Sequence, residues 1–179
     1  GGIGCHTMAI RLGDPNRTFS FMTQMGGEGT PWIGMAPFVN HGHIFQNIGD
    51  GTLFHSGYLA IEACVAAGVN VTYKILYNGH VAMTGGQSAV GALPIPQLTR
   101  KLQAEGVKKT VVLAEDPSKY TDLSALAGNA QLRSRDDLAS TMREREENYG
   151  VTDIIYDPAG AAEQRHQRSR GLMDETTRI

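Results

Sequence analysis

The chain has 179 residues and a formal net charge of −2. That length suits one domain with a sizeable core, since a chain near ~150 residues buries roughly 70% of its extended surface, and the near-neutral balance gives no reason to expect nucleic acid or an anionic membrane as partner. No apolar run approaches the ~18 residues that a bilayer span requires and no secretory leader is legible, so a cytoplasmic protein with no membrane partner is expected.

Cys5 and Cys64 are the only cysteines and form no Cys-x-x-Cys pair. The chain therefore encodes neither a disulfide framework nor a complete zinc or iron–sulfur site, which fits a reducing compartment. With 22 glycines and few aromatics, the composition suits a parallel sheet whose loops approach a ligand closely. The chain opens on Gly1-Gly2-Ile3-Gly4 without Met and ends in a basic stretch, which reads as a segment of something longer: one domain over 1–170 and a tail over 171–179.

Gly1 to Ala9 holds Gly-Ile-Gly-Cys-His-Thr-Met, which fails as a dinucleotide fingerprint because Thr7 stands where a third glycine belongs. Thr18 to Thr23 alternates and predicts a strand. In Met25-Gly26-Gly27-Glu28-Gly29-Thr30-Pro31-Trp32, Pro31 fits the first turn of a helix capped by Thr30. Glu28 is either part of a ligand pocket at that Gly-rich turn or a solvated loop carboxylate. His41-Gly42-His43 offers two imidazoles without a third ligand, and reads as an ordinary entry into a strand.

The stretch from Ile44 to Gln87 organises the chain. An apolar run, Ile44 to Ile48, stops at Gly49-Asp50-Gly51, and a low-charge helical stretch follows from Leu53 to Ala67, with Ala60, Ala63, Ala66, Ala67 and Gly68 small enough for close packing and Cys64 among them. A second apolar run, Val69 to Tyr77, leads into Asn78 and the loop Gly79 to Gln87. This is a βαβ unit whose two polar loops emerge at one sheet edge. Glycines before a helix N-terminus let backbone N–H groups approach an anion such as a diphosphate. Asp50 supplies a carboxylate and Asn78 an amide oxygen, the hard oxygen donors that magnesium shares with phosphates, and the main-chain carbonyl of His80 could add a third. His55 lies in the first turn of the helix, and is either a proton shuttle or a capping group. Gly-Asp-Gly by itself is more often only a turn.

Ordinary α/β alternation follows. Pro94 or Pro96 opens a helix through Glu105, Lys108 to Ala114 is a strand, Asp116 to Tyr120 a turn and Ala130 to Arg133 a short strand. Ser134-Arg135-Asp136-Asp137 has capping-box spacing before a charged helix to Asn148, whose Leu138 and Met142 form a narrow apolar stripe beside a solvated Arg/Glu face. Val151 to Tyr156 is the last strand, and Ala159 to Arg170 a basic helical tail. The fold class is α/β: an open, mostly parallel sheet with helices on both faces.

A Gly-Asp-Gly triplet followed by a helix, a strand and an Asn resembles the diphosphate-binding motif of thiamine diphosphate enzymes. Gly49-Asp50-Gly51-Thr52-Leu53-Phe54-His55-Ser56-Gly57, then Ala66-Ala67-Gly68-Val69 through Asn78, then Val81-Ala82-Met83-Thr84-Gly85-Gly86-Gln87, are similar to indolepyruvate ferredoxin oxidoreductase in its fused bacterial form, a branch of the 2-oxoacid:ferredoxin oxidoreductase superfamily. Gly79-His80 departs from the Asp-Ala more usual there, which leaves the local loop shape open.

The resemblance implies an oxidoreductase that binds thiamine diphosphate and Mg2+, oxidatively decarboxylating arylpyruvates with coenzyme A and passing electrons through iron–sulfur clusters to ferredoxin. It implies cofactor-binding roles for Cys5, His6, Gly27, Glu28, Gly49, Asp50, Gly51, Thr52, Asn78, His80, Val81 and Met83, with Asp50, Asn78 and the His80 carbonyl on the metal and His55 as a catalytic candidate. Cys5 becomes a candidate lone cluster ligand whose partners lie outside this chain; the alternative is a small half-buried thiol. A separate pyrimidine-binding domain or subunit would supply the glutamate that activates the cofactor, so this segment alone is expected not to turn over, and a homo-oligomer is expected. Three alternatives stand beside this reading: a non-redox thiamine enzyme (a 2-oxo acid decarboxylase or acetolactate-synthase-like protein), a non-catalytic nucleotide-binding module, and a purely structural domain.

Overall fold

A computed structural model describes residues 1–4, 6–7, 21–81 and 87–157. Its main sheet has five strands, β1 (Ile44–Gly49), β2 (Val71–Leu76), β5 (Thr110–Ala114), β6 (Ala130–Ser134) and β7 (Val151–Asp157), all parallel and in the order β1-β2-β7-β5-β6. A small antiparallel hairpin, β3 (His80–Val81) with β4 (Gln87–Ser88), stands apart from it. The helices are α1 (Thr30–Met35), α2 (Asp50–Thr52), α3 (Tyr58–Ala67), α4 (Ile95–Ala104) and α5 (Leu138–Glu146).

Alternation along the strands sends side chains to two faces, and both are covered. On one face Val71, Tyr73, Ile75, Val112, Val151 and Ile155 pack with Trp32 of α1, Ile61 and Cys64 of α3 and Leu98 and Leu102 of α4. On the other, Val111, Leu113 and Ile154 pack with Leu138 and Met142 of α5. The expected α/β class with helices on both faces is the observed one.

Several local expectations change. Residues 21–23 are not in a strand, and the rest of the stretch from Thr18 lies outside the described residues, as does the tail helix expected from Ala159. Gly29, not Thr30, caps α1: its φ of +88° is open to glycine, and Thr30 Oγ1 instead donates to the Gly27 carbonyl at 2.8 Å. Arg145, assigned above to a solvated face, is only 4% exposed, because α5 turns it and Thr141 towards the sheet. Ser134 caps a 3-10 turn (Arg135–Asp137) by accepting from the Asp136 N–H at 3.3 Å, ahead of α5 itself.

The sheet end opposite the polar loops is tied by Asn70. Its amide donates to the Gly42 carbonyl at 3.1 Å, its oxygen accepts from Gly150 N–H at 2.7 Å, and its own carbonyl accepts from Trp32 Nε1 at 2.9 Å. His41 and His43 belong to this strand entry, His41 against the Trp32 ring and His43 bonded to Thr72 Oγ1 at 2.8 Å.

Asp153 in β7 is 1% exposed; its Oδ2 accepts from Thr110 Oγ1 at 3.2 Å while its Oδ1 has no partner. Burial pushes its carboxyl up to about 8, with the Thr110 hydroxyl and Arg145 acting the other way. Because the folded value lies above the unfolded one, its contribution to stability is complete below the ordinary carboxylate range and is lost as pH climbs towards 8. Asp153→Asn is therefore expected to be the more stable protein at pH 8, by on the order of 2 kcal/mol, with the advantage vanishing near pH 4. Urea unfolding at the two pH values checks this; a difference that does not change with pH would contradict it.

Candidate functional site

Because β1 and β2 are adjacent and parallel, the segments leaving them come out side by side at the C-terminal edge of the sheet. The triplet Gly49-Asp50-Gly51 is not a free loop: the helix starts on Asp50 directly after β1, and only Gly49, in extended conformation, stands outside it. Asp50 is 3% exposed. Its Oδ2 accepts from the N–H of Asn78 at 2.8 Å and of Gly79 at 2.6 Å, and its Oδ1 from the Gly51 N–H at 2.8 Å. One carboxylate thus joins the two loops that the sequence pattern paired.

Asn78 is held in its own turn, with Oδ1 accepting from the His80 N–H at 2.8 Å and its carbonyl 2.8 Å from His80 Nδ1. Gly79 takes a φ of +72° to make that turn. Val81 of the hairpin lies over Gly51, where a Cβ would stand 3.3 Å from Val81 Cγ2. Thr52 is buried in α2.

Between α2 and α3 the chain makes a π-helical turn over Leu53–Gly57. Such wide turns are common at functional sites. His55 lies in this turn, exposed to solvent, instead of in a first α-helical turn. Its neighbour Ser56 carries the contact that sequence reading missed: a Cβ on Gly26, whose φ is +89°, would stand 2.5 Å from Ser56 Oγ. The Gly-rich turn before α1 is thereby seated against the turn that follows Asp50.

Glu28, in that Gly-rich turn, is 0% exposed, which removes the solvated-loop reading. Its Oε2 accepts from the Gly26 N–H at 2.7 Å and its backbone carbonyl from Tyr73 Oη at 2.8 Å. Burial raises its carboxyl above the ordinary range. Gly27 is buried beside it, and His6, half-buried with its imidazole pushed down chiefly by burial, lies on the segment that Glu28 touches through Gly2. Cys5 and Met83 lie outside the described residues. Cys64, the other thiol, is core: it is 0% exposed and sits 3.2 Å from Tyr73 Oη.

Among the described residues no three His, Cys, Asp or Glu side chains converge as a metal site. Among the described residues, the two loops bring together the Asp50 carboxylate, the Asn78 side-chain amide and main-chain carbonyls. That set fits a hard, oxygen-seeking ion such as Mg2+ that takes its other ligands from phosphate and water, and does not fit zinc.

Residues 2–154 match the family described as "Thiamine pyrophosphate enzyme, C-terminal TPP binding domain". The chain belongs to this family. No curated protein sequence matches the chain. Among solved structures, it is similar to a chain of the 2-oxoglutarate:ferredoxin oxidoreductase from Magnetococcus marinus, determined with 2-oxoglutarate, coenzyme A and succinyl-CoA bound. The TM-score is 0.60 at 18% sequence identity, over 92% of this chain and 57% of that one. At that identity the likeness concerns the fold, and the chain spans little more than half of its structural relative. No helix among the described residues is long and apolar enough to cross a membrane.

Proposed function

We propose that this chain is the thiamine diphosphate- and Mg2+-binding domain of a cytoplasmic indolepyruvate-type 2-oxo acid:ferredoxin oxidoreductase. Asp50, buried and bonded to the N–H groups of Asn78 and Gly79, is the observation that carries the reading. It brings a carboxylate to the amide-bearing loop, where a diphosphate-bound cation needs oxygen. Asp50, the Asn78 amide oxygen and the His80 carbonyl would hold Mg2+. Gly49, Gly51 and Thr52 would present main-chain donors to the diphosphate at the start of the helix, while Val81 and Met83 of the hairpin, and Gly27, Glu28, His6 and Cys5, would line the rest of the cofactor.

Thiamine diphosphate, when bound, supplies the carbanion-stabilising chemistry of 2-oxo acid decarboxylation. The chain's own part is to bind, orient and shield it. Tyr73 pins the Glu28 backbone, Ser56 seats Gly26, and Asp50 fixes the loop after β2, so the pocket wall is built before the cofactor arrives. Exposed in the π-turn, His55 would be the catalytic candidate of this segment. A pyrimidine-binding partner domain, coenzyme A, ferredoxin and an iron–sulfur cluster with Cys5 as one ligand complete the proposed enzyme, an assembly of more than one copy.

Calorimetric titration with thiamine diphosphate tests the reading. Binding is expected only with Mg2+ present, and ATP or NAD under the same conditions should give no heat. Binding of either nucleotide in preference would favour a nucleotide module instead. Reduction of a low-potential acceptor by the complete protein in the presence of an arylpyruvate separates the redox enzyme from a simple decarboxylase.

A further inference from the structure

We infer that Glu28 works as a neutral carboxylic acid, a positioning residue whose side chain fastens the Gly1–Gly4 segment to the Gly26–Gly29 turn and so seats that turn against the helix beginning at Asp50. The part of this inference that concerns cofactor affinity rests on the thiamine diphosphate reading above.

The geometry is that of a side chain locked on every side. Glu28 is fully buried, and of its two carboxyl oxygens only Oε2 has a partner, the Gly26 N–H at 2.7 Å. Oε1 is buried with no hydrogen bond, pressed against Gly2, where a Cβ would stand 2.7 Å from Oε1 and 2.5 Å from Cγ. An ionised carboxylate offers about four acceptor sites, and sealing it from water with one of its two oxygens left without a donor is strongly unfavourable. A neutral acid avoids that cost. The same side chain links three stretches: Gly2 at Oε1, Gly26 at Oε2 and, through the contact of Gly26 with Ser56, the π-turn after Asp50.

Among the described residues, the groups facing Glu28 come from β2 and from the opening segment. From β2 comes the Tyr73 hydroxyl, bonded to the Glu28 carbonyl. From the opening segment comes the Gly1 nitrogen, which donates to the Phe21 carbonyl at 2.7 Å. Lys74 of β2 acts on His6 from further off. Burial raises the Glu28 carboxyl and outweighs the main-chain N–H groups of Glu28 and Gly26, which act the other way. Its stabilising contribution is therefore complete below the ordinary carboxylate range and is lost as pH rises through the folded value, when the charged form must admit water between Gly2 and the Gly26 turn.

The experiment compares the whole chain as wild type, Glu28→Gln and Glu28→Ala between about pH 5 and pH 8, by thermal midpoint and by calorimetric titration with thiamine diphosphate and Mg2+. Every other titrating group is common to all three, so only differences report Glu28. Wild-type affinity should fall with pH more steeply than that of Glu28→Gln, by no more than the limit of about tenfold per pH unit that one proton sets. Glutamine should also rescue most of the roughly tenfold loss expected for alanine, which leaves the Gly26 N–H without a partner. Parallel profiles for wild type and Glu28→Gln, or a glutamine variant as impaired as alanine, would overturn the inference. If no variant binds the cofactor, the thiamine reading fails, and the midpoints still decide: the wild-type midpoint must drop relative to Glu28→Gln as pH rises. That pair of proteins suffices even if Glu28→Ala does not fold.

Discussion

Asp50→Ala is expected to abolish Mg2+-dependent cofactor binding, weakening it by about 100-fold or more, and to destabilise the fold by roughly 4 kcal/mol at the same time. The carboxylate is 3% exposed and accepts from the N–H groups of Asn78 and Gly79. Alanine leaves both donors without a partner beneath the hairpin, and each such loss costs about 1–3 kcal/mol. Asp50→Asn separates the two effects. Its side-chain oxygen can still accept from one of the loop N–H groups, so the stability loss should be about half that of alanine, while removal of the charge should cost nearly as much binding as alanine does. Urea denaturation reads the first quantity and calorimetry the second. An alanine variant that kept both its stability and its magnesium dependence would end the assignment of this edge as the cofactor site.

Gly29→Ala carries the largest expected effect on folding alone, about 4 kcal/mol. Gly29 has a φ of +88°, which costs an L-residue about 1–3 kcal/mol. A Cβ there would also overlap the hydroxyl of Tyr73. Tyr73 is 0% exposed and its hydroxyl is already engaged by the Glu28 carbonyl and by Cys64 Sγ, so it has nowhere to retreat. Overpacking of that kind adds about 1–3 kcal/mol. The control is Gly34→Ala in α1, where nothing lies within 4 Å of the added carbon, and which should leave the urea midpoint within about 1 kcal/mol of wild type. Equal midpoints for the two variants would show that the Gly29–Tyr73 contact does not hold α1 in place.

The parts of this molecule that were legible in its sequence are those fixed by short-range pattern. The run Ile44 to Ile48 ending in Gly49-Asp50-Gly51, and the run ending at Asn78, announced two buried parallel strands with polar ends, and the structure pairs them residue for residue. Cys64 read as core because it falls among alanines, and it is core. What stayed hidden depends on contacts made by residues far apart. Glu28 looks like any carboxylate in a Gly-rich turn; only the approach of Gly2 and Gly26 buries it. Ser56 gave no signal, since its value lies in touching Gly26 across 30 positions of chain. The π-turn over Leu53–Gly57 leaves a helical pattern looking helical, so His55 was placed one kind of turn away from where it sits. Of the strand expected over Thr18 to Thr23, the described residues 21–23 are not in a strand, although their backbone meets Gly1, whose N–H donates to the Phe21 carbonyl and whose carbonyl accepts from the Thr23 N–H. Arg145 resembled the other charged positions of α5, and the sheet beneath decided that it, and not they, would be covered.

One feature of the sheet bears on how the chain reaches this state. The last described strand, Val151–Asp157, lies in the middle of the sheet, with β2 on one side and β5 on the other. A nascent polypeptide that has emerged only as far as Gly150 would hold two half-sheets with bare inner edges, each a template for wrong partners. Completion therefore waits on the final stretch to slot between them, a late, long-range step of the sort that makes folding slow and that places the growing chain within reach of chaperones.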